Sequence, residues 1–116
     1  MCVVLVDDEP YIRLLAGELL RDAGHRVVEF ETATDAIAYC ADPEHEVLAV
    51  LTDINMPGEE DGLDLAAYVV KARPEVAVIV TSGRYAALPS GLPPGIRFLP
   101  KPWTIAALLQ TIPPVP

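Results

Sequence analysis

The stretch VLAVLTDINMPG, residues 47–58, passes from an apolar run into Thr52 and Asp53 and then into a Met56-Pro57-Gly58 turn. A short unbroken apolar run bounded by turn residues reads as a strand buried on both faces, as in the middle of a parallel sheet. Three other runs end the same way: VVLV stops at Asp7-Asp8, VAVIV at Thr81-Ser82 and RFLP at Lys101. Side by side as parallel strands, these runs bring three carboxylates, hydroxyls and one ammonium to a single rim, the edge at which open α/β sheets bind ligands.

The segments between the runs carry helical patterns. After a strand at Val3 to Val6, the residues Ile12, Leu15, Ala16, Leu19, Leu20 and Ala23 recur at helical spacing, and Gly24 stands where a helix terminates in the left-handed region. Arg26 to Phe30 reads as a second strand. Thr32, with Asp35 three places on, predicts a capping box for a helix whose apolar contacts are Ala36, Ile37 and Tyr39 and which Asp42-Pro43 ends. Strand three is Val47 to Thr52. Leu63, Ala66, Ala67 and Val70 predict the apolar face of a third helix, closed by Arg73-Pro74, and Val76 to Val80 is strand four. Ile96 to Leu99 is strand five, followed by a short helix from Thr104 to about Ile112 that the tail Pro113-Pro114-Val115-Pro116 cannot continue. Such alternation predicts a parallel sheet covered on both faces. The interval Gly83 to Gly95 interrupts it: three prolines and three glycines in thirteen residues predict a loop, or at most one or two helical turns.

Three carboxylates at one spot repel one another and stay ionised only beside a cation, for which a single lysine is too little. Mg²⁺, which prefers oxygen ligands and is commonly shared between carboxylates and a phosphate, supplies the deficit. One of these aspartates is then a candidate nucleophile that forms an acyl phosphate, which the metal and Lys101 would neutralise. Ser82 and Gly83 are small and leave room there. Each residue also has a plainer reading alone: Asp53 as a turn residue, Asp7 and Asp8 as cap and first-turn acids of the following helix, Thr81 as a β-branched strand residue, Lys101 as a surface lysine.

VLVDDEP, LTDINMPG, IVTSG and FLPKPW occur in the order and with spacings similar to those of the receiver domain of two-component response regulators, and the resemblance covers essentially all 116 residues. It implies one flavodoxin-like receiver over residues 1–116, with a doubly wound five-stranded parallel sheet of order 2-1-3-4-5. Asp53 would be the phosphoacceptor, charged from a phosphohistidine on a sensor histidine kinase or a histidine phosphotransfer protein. Mg²⁺ would be held by Asp8 and Asp53 directly, by Asp7 through water and by the Asn55 backbone carbonyl, with Glu9 a helix N-terminal acid rather than a ligand. Thr81 and Phe98 would form the conformational switch; Phe98 lacks the hydroxyl a tyrosine would use there and equally suits the core. The Lys101-Pro102 bond is a candidate cis peptide. Tyr11 and Leu14, off the apolar face of the first helix, and Pro102 are candidates for docking the phosphoryl donor.

This sequence departs from the family pattern at residues 83–95, where a full fourth helix is usual, and in the interval from Asp53 to Gly62, one residue longer than common. Glu59 to Asp61 within that interval reads as a solvated acidic loop. With the fourth helix eroded and the last one short, the sequence favours a receiver that passes phosphoryl groups or signals by protein contact, stand-alone or within a hybrid kinase, as a monomer or weak homodimer. Two rivals are a degenerate receiver serving as a binding module and a Mg²⁺-dependent hydrolase with an aspartyl nucleophile. The hydrolase would need a second acid two residues after Asp53, where Asn55 stands, and a cap over its substrate.

A hydrophobic fraction of 52% in 116 residues supports a substantial core, and a chain of this size buries about two-thirds of its unfolded surface. Eight Lys and Arg against seventeen Asp and Glu give a net charge of −9, which opposes contact with nucleic-acid phosphates. Cys2 and Cys40 lack metal-site spacing and read as buried, reduced thiols of a cytoplasmic protein. Met1 leads directly into a strand, so no signal peptide is expected, and every apolar run is far shorter than the roughly 20 residues of a membrane span.

Overall fold

The computed structural model describes all residues 1–116. In chain order the elements are β1 (Cys2–Val6), α1 (Pro10–Asp22), β2 (Arg26–Phe30), α2 (Ala33–Ala41), β3 (Val47–Asp53), α3 (Gly62–Ala72), β4 (Ala77–Ser82), β5 (Ile96–Pro100) and α4 (Ile105–Thr111). The five strands form one parallel sheet in the order β2-β1-β3-β4-β5. This is the architecture and strand order expected from the sequence, with the chain reversing its direction of travel across the sheet between β1 and β3.

Strand alternation divides the core in two. Val4, Val6, Val50, Val78 and Val80 point to one face and pack with Ala33, Ala36 and Cys40 of α2 and Leu65, Ala66 and Val69 of α3. Val3, Leu5, Ala49, Leu51 and Ile79 point to the other and meet Ala16 and Leu20 of α1 and Leu108 of α4. Because β1, β3 and β4 are buried on both faces, they carry unbroken apolar runs, and each fully buried Val, Leu or Ile contributes about 1.5–3 kcal/mol. Both cysteines are free and buried, and burial raises the Cys40 thiol to about 11, so it stays protonated.

Residues 83–95 contain no helix or strand, and Gly91 and Gly95 there adopt positive φ of 86° and 98°. The β4–β5 connection is thus a loop, as its prolines predict, and Leu88 is its apolar contact with the α2–α3 core. Gly24 also adopts a positive φ of 95°, one residue past the α1 cap. No helix is long and apolar enough to cross a membrane.

Several local expectations are corrected. The buried face of α3 is Gly62, Leu65, Ala66 and Val69, turned from the expected Leu63, Ala66, Ala67 and Val70; of these only Ala66 is fully buried. Capped at Asp61, the helix starts at Gly62, one residue before the first leucine of the expected face. The capping box lies here as well: the Asp61 side chain accepts from Leu63 and Asp64 amides, and Asp64 accepts from the Asp61 amide. The acidic stretch Glu59 to Asp61 is therefore structural at its end, and Glu60 accepts from the Thr34 hydroxyl at 3.1 Å. At Thr32 only half a box forms, the hydroxyl accepting from the Asp35 amide at 3.2 Å. In α1, Leu15 is 38% exposed and Ala23 is the exposed cap residue rather than part of the apolar face.

Candidate functional site

Parallel register decides which side chains meet at the carboxyl rim. Val6 pairs with Thr52, Asp53 with Thr81, and Ser82 with Pro100, so Asp7, Asp53, Thr81 and Lys101 all emerge at one edge of the sheet. The backbone continues the pairing beyond the side chains, with the Ile54 amide donating to the Thr81 carbonyl and the Lys101 amide to the Ser82 carbonyl, both at 3.0 Å. Carboxylate oxygens of Asp7, Asp8 and Asp53 lie within 4.8 Å of one another, Asp7 buried, Asp53 half-buried and Asp8 exposed.

Lys101 reaches into this cluster from the far side. Its Nζ lies 3.2 Å from Asp7 Oδ2 and 3.4 Å from Asp53 Oδ2, so one ammonium is shared by two carboxylates. Burial pushes the Asp53 carboxyl above its ordinary value; Lys101 works against that shift and the Asp7 charge adds to it. Burial alone would lower the Lys101 ammonium, but Asp7 and Asp53 more than reverse this and hold it above its ordinary value. The Lys101 shift is that of one ammonium facing two carboxylates, whereas the Asp53 shift is set first by burial.

Asp7 and Asp8 do not cap α1. Glu9 occupies the cap position without a side-chain bond, Pro10 follows in the first turn, and that turn carries no acid. Asp7 Oδ1 instead accepts from the Glu9 amide at 2.9 Å, and the Arg13 guanidinium donates to the Asp7 carbonyl at 2.6 Å. Arg13 also pairs with Glu29 on β2, so it ties the acidic turn to the neighbouring strand. Nothing in the apolar spacing of α1 marks Arg13 for this role.

On the other side of Asp53, the Thr81 hydroxyl is buried and has no hydrogen-bond partner. An orphaned buried hydroxyl is unfavourable unless a ligand supplies its acceptor. The Asn55 amide donates to Asp53 Oδ1 at 3.4 Å and its side-chain amide reaches Ser82 Oγ at 3.5 Å. Ser82 Oγ further accepts from the Arg84 and Tyr85 amides at 3.0 and 3.4 Å, anchoring the start of the β4–β5 loop. The sequence marks Ser82 only by its small size and carries no signal for Arg84, which lines a cavity of about 370 Å³ with Asp8, Asp53 and Lys101.

Gly62 sets the packing behind the nucleophile candidate. Its amide donates to the Ile54 carbonyl at 3.0 Å, and a Cβ there would collide with the Asp53 carbonyl. Lys101-Pro102 is a cis peptide, as the resemblance suggested. Phe98 is partly buried against the α2–α3 core. Tyr11 and Leu14 are 74% and 54% exposed, and beside them Ile12, Leu15, Pro102 and Trp103 line an open groove that borders Lys101.

The donor set suits Mg²⁺: hard oxygens from three carboxylates, no soft ligand, and one shared ammonium that leaves the negative charge incompletely balanced.

A parallel α/β sheet in this order, with an aspartate-lined rim at its switch point, is shared with the receiver class. The chain belongs to the response regulator receiver domain family, which it matches over residues 3–113. It is 33% identical over 114 residues to the sensor kinase CckA of Brucella abortus, a match covering 95% of this chain and 12% of that protein. It is 28% identical over 113 residues to the DNA-binding transcriptional regulator NtrC of Azospirillum brasilense, covering 95% of this chain and 23% of that one. The chain therefore spans less than a quarter of the length of these two relatives.

Among solved structures, a response regulator receiver protein from Sinorhizobium medicae superposes with a TM-score of 0.84 at 25% identity, covering 97% of this chain and 90% of that one. The receiver domain of the hybrid histidine kinase CckA gives 0.78 at 27% identity, covering 95% and 94%.

Proposed function

We propose that residues 1–116 act as one phosphoacceptor receiver, in which Asp53 accepts a phosphoryl group from a phosphohistidine of a histidine kinase or phosphotransfer protein. The observation that carries this reading is the convergence of Asp7, Asp8, Asp53 and Lys101 around a half-buried carboxylate, beside a buried Thr81 hydroxyl without a partner. A structural ion cluster has no use for that orphan donor, whereas a phosphoryl oxygen on Asp53 supplies its acceptor.

In the transfer, an Asp53 carboxylate oxygen attacks phosphorus and the phosphorus–nitrogen bond to the donor imidazole breaks. The imidazole leaves with the bonding electron pair, and the new acyl phosphate stays on Asp53. Asp7, Asp8, Asp53 and the Asn55 backbone carbonyl would hold Mg²⁺, which, when bound, supplies charge neutralisation for the phosphoryl oxygens. Lys101 moves from its shared position between Asp7 and Asp53 to counter the added charge. Thr81 donates its hydroxyl to a phosphoryl oxygen, and its shift toward Asp53 lets Phe98 change its packing against the α2–α3 core, turning a local charge change into a two-state response. The activity is that of a signalling switch, with self-catalysed uptake and later hydrolysis of the phosphoryl group.

The exposed Tyr11 and Leu14, with Pro102 in the groove beside Lys101, form the surface on which the donor docks. A donor of this kind places the domain in the cytoplasm. The test is labelling by acetyl phosphate with Mg²⁺: the unaltered chain gains one phosphoryl group and Asp53→Asn gains none, while undiminished labelling of the variant would overturn the assignment.

A further inference from the structure

The cavity over Asp53 presents an electrostatic problem to any phosphoryl donor. Asp8, Glu9 and Asp53 line it, and a dianionic phosphoryl group must approach past all three. Its only basic lining residues are Lys101 and Arg84. Lys101 is already committed, at 3.2 Å from Asp7 and 3.4 Å from Asp53. Arg84 takes part in none of the chain's ion pairs and donates no side-chain hydrogen bond, so its guanidinium is the cation left uncommitted at this mouth.

Arg84 is nevertheless held in place. Its own amide and that of Tyr85 both donate to the buried Ser82 Oγ, which also receives the Asn55 side-chain amide from the β3 side of the site. The residue before it, Gly83, has no side chain to stand between Arg84 and the cavity. A backbone fixed at its own amide and the next, with a planar donor fork that has no intramolecular partner, suits two-pronged binding of phosphoryl oxygens.

We propose that Arg84 binds the incoming phosphoryl donor, offsetting the acidic wall of Asp8 and Glu9 and orienting the donor's phosphoryl oxygens over Asp53. The proposal rests on the assignment of Asp53 as phosphoacceptor and adds the residue that admits an anionic donor to that site.

Acetyl phosphate, with Mg²⁺ at saturation, is the probe, and formation of the acyl phosphate is followed by intact mass and by fluorescence of Trp103, the single tryptophan. A fall of about 5–10-fold, equivalent to about 1–1.4 kcal/mol, is expected in the apparent second-order rate constant of Arg84→Gln. Its dependence on ionic strength should weaken as well, Arg84→Lys should recover part of the rate, and Mg²⁺ affinity and urea midpoint should match the unaltered chain. An Arg84→Gln variant with the unaltered rate and salt dependence overturns the proposal and leaves Asp53 as phosphoacceptor intact. A loss of rate that travels with a loss of Mg²⁺ affinity or stability also overturns it, because Arg84 would then be supporting the fold or the metal site. If the unaltered chain with bound Mg²⁺ forms no acyl phosphate, the phosphoacceptor assignment fails first and this proposal fails with it.

Discussion

The carboxyl rim and the β4–β5 loop adjoin at Ser82–Gly83, yet they are built on opposite terms. At the rim, register fixes each functional side chain, and the arrangement includes a half-buried carboxyl raised above its ordinary value and a buried hydroxyl without an acceptor. The loop has no regular structure, and its stabilising contribution centres on Leu88 against the α2–α3 core. The rim holds destabilising chemistry inside a hydrogen-bonded frame, whereas the loop is held at its start by Ser82 and presents Arg84 at the edge of the site. Ser82 belongs to both, because its hydroxyl is bonded to Asn55 on one side and to the loop amides on the other.

The sharpest way to break this contrast is at Asp53. Its carboxyl is raised in the fold, so its contribution to metal-free stability is fully present below the ordinary carboxylate range and is lost as pH rises through the raised value. Asp53→Asn should remove phosphoryl uptake entirely, give a higher urea midpoint than the unaltered metal-free chain at neutral pH, and abolish the decline measured from pH 4 upward. A variant less stable at neutral pH would show that the rim is not strained by its own charge. Mg²⁺ should act in the opposite direction on the unaltered chain: at a hundredfold excess over its dissociation constant it adds about 2.7 kcal/mol of stability, read from the melting temperature. In Asp53→Asn and Asp8→Asn that gain should shrink.

Behind the rim, Gly62→Ala pushes a Cβ into the Asp53 carbonyl and should cost about 1–3 kcal/mol in urea unfolding, with reduced Mg²⁺ affinity because α3 must back away from the loop that carries Asp53 and Asn55. Across the boundary the effects should fall. Leu88→Ala should cost about 1 kcal/mol, below the range for fully buried leucines because the residue is only partly buried. Doubling the length of the loop between Pro89 and Pro94 with Gly and Ser should cost only about 0.6 kcal/mol. A loop insertion as damaging as Gly62→Ala would erase the contrast.

The strands and the rim were legible in the sequence because they follow from short-range rules: apolar runs of strand length, each ending in a polar residue, on a sheet whose parallel register aligns those ends. The β4–β5 loop was legible for a different reason, since Pro and Gly exclude a helix wherever they cluster. What escaped depends on where a helix begins and on contacts distant in the chain. The face of α3 was misplaced because Asp61, not the first leucine, starts that helix, and the capping box was expected at Thr32 when its full form lies at Asp61 and Asp64. Arg13 and Arg84 gave no periodic signal. Their roles appear only once α1 is set against the Asp7 turn and the loop is folded back on Ser82.

Whether a cation-dependent cluster makes Asp53 the one phosphoryl acceptor of this chain is decided by site-resolved mass spectrometry after exposure to acetyl phosphate. With Mg²⁺ present, a single added phosphoryl group should map to Asp53, and chelation should prevent its appearance. A phosphoryl group mapped elsewhere, or one that forms equally well in chelator, would overturn the assignment of Asp53.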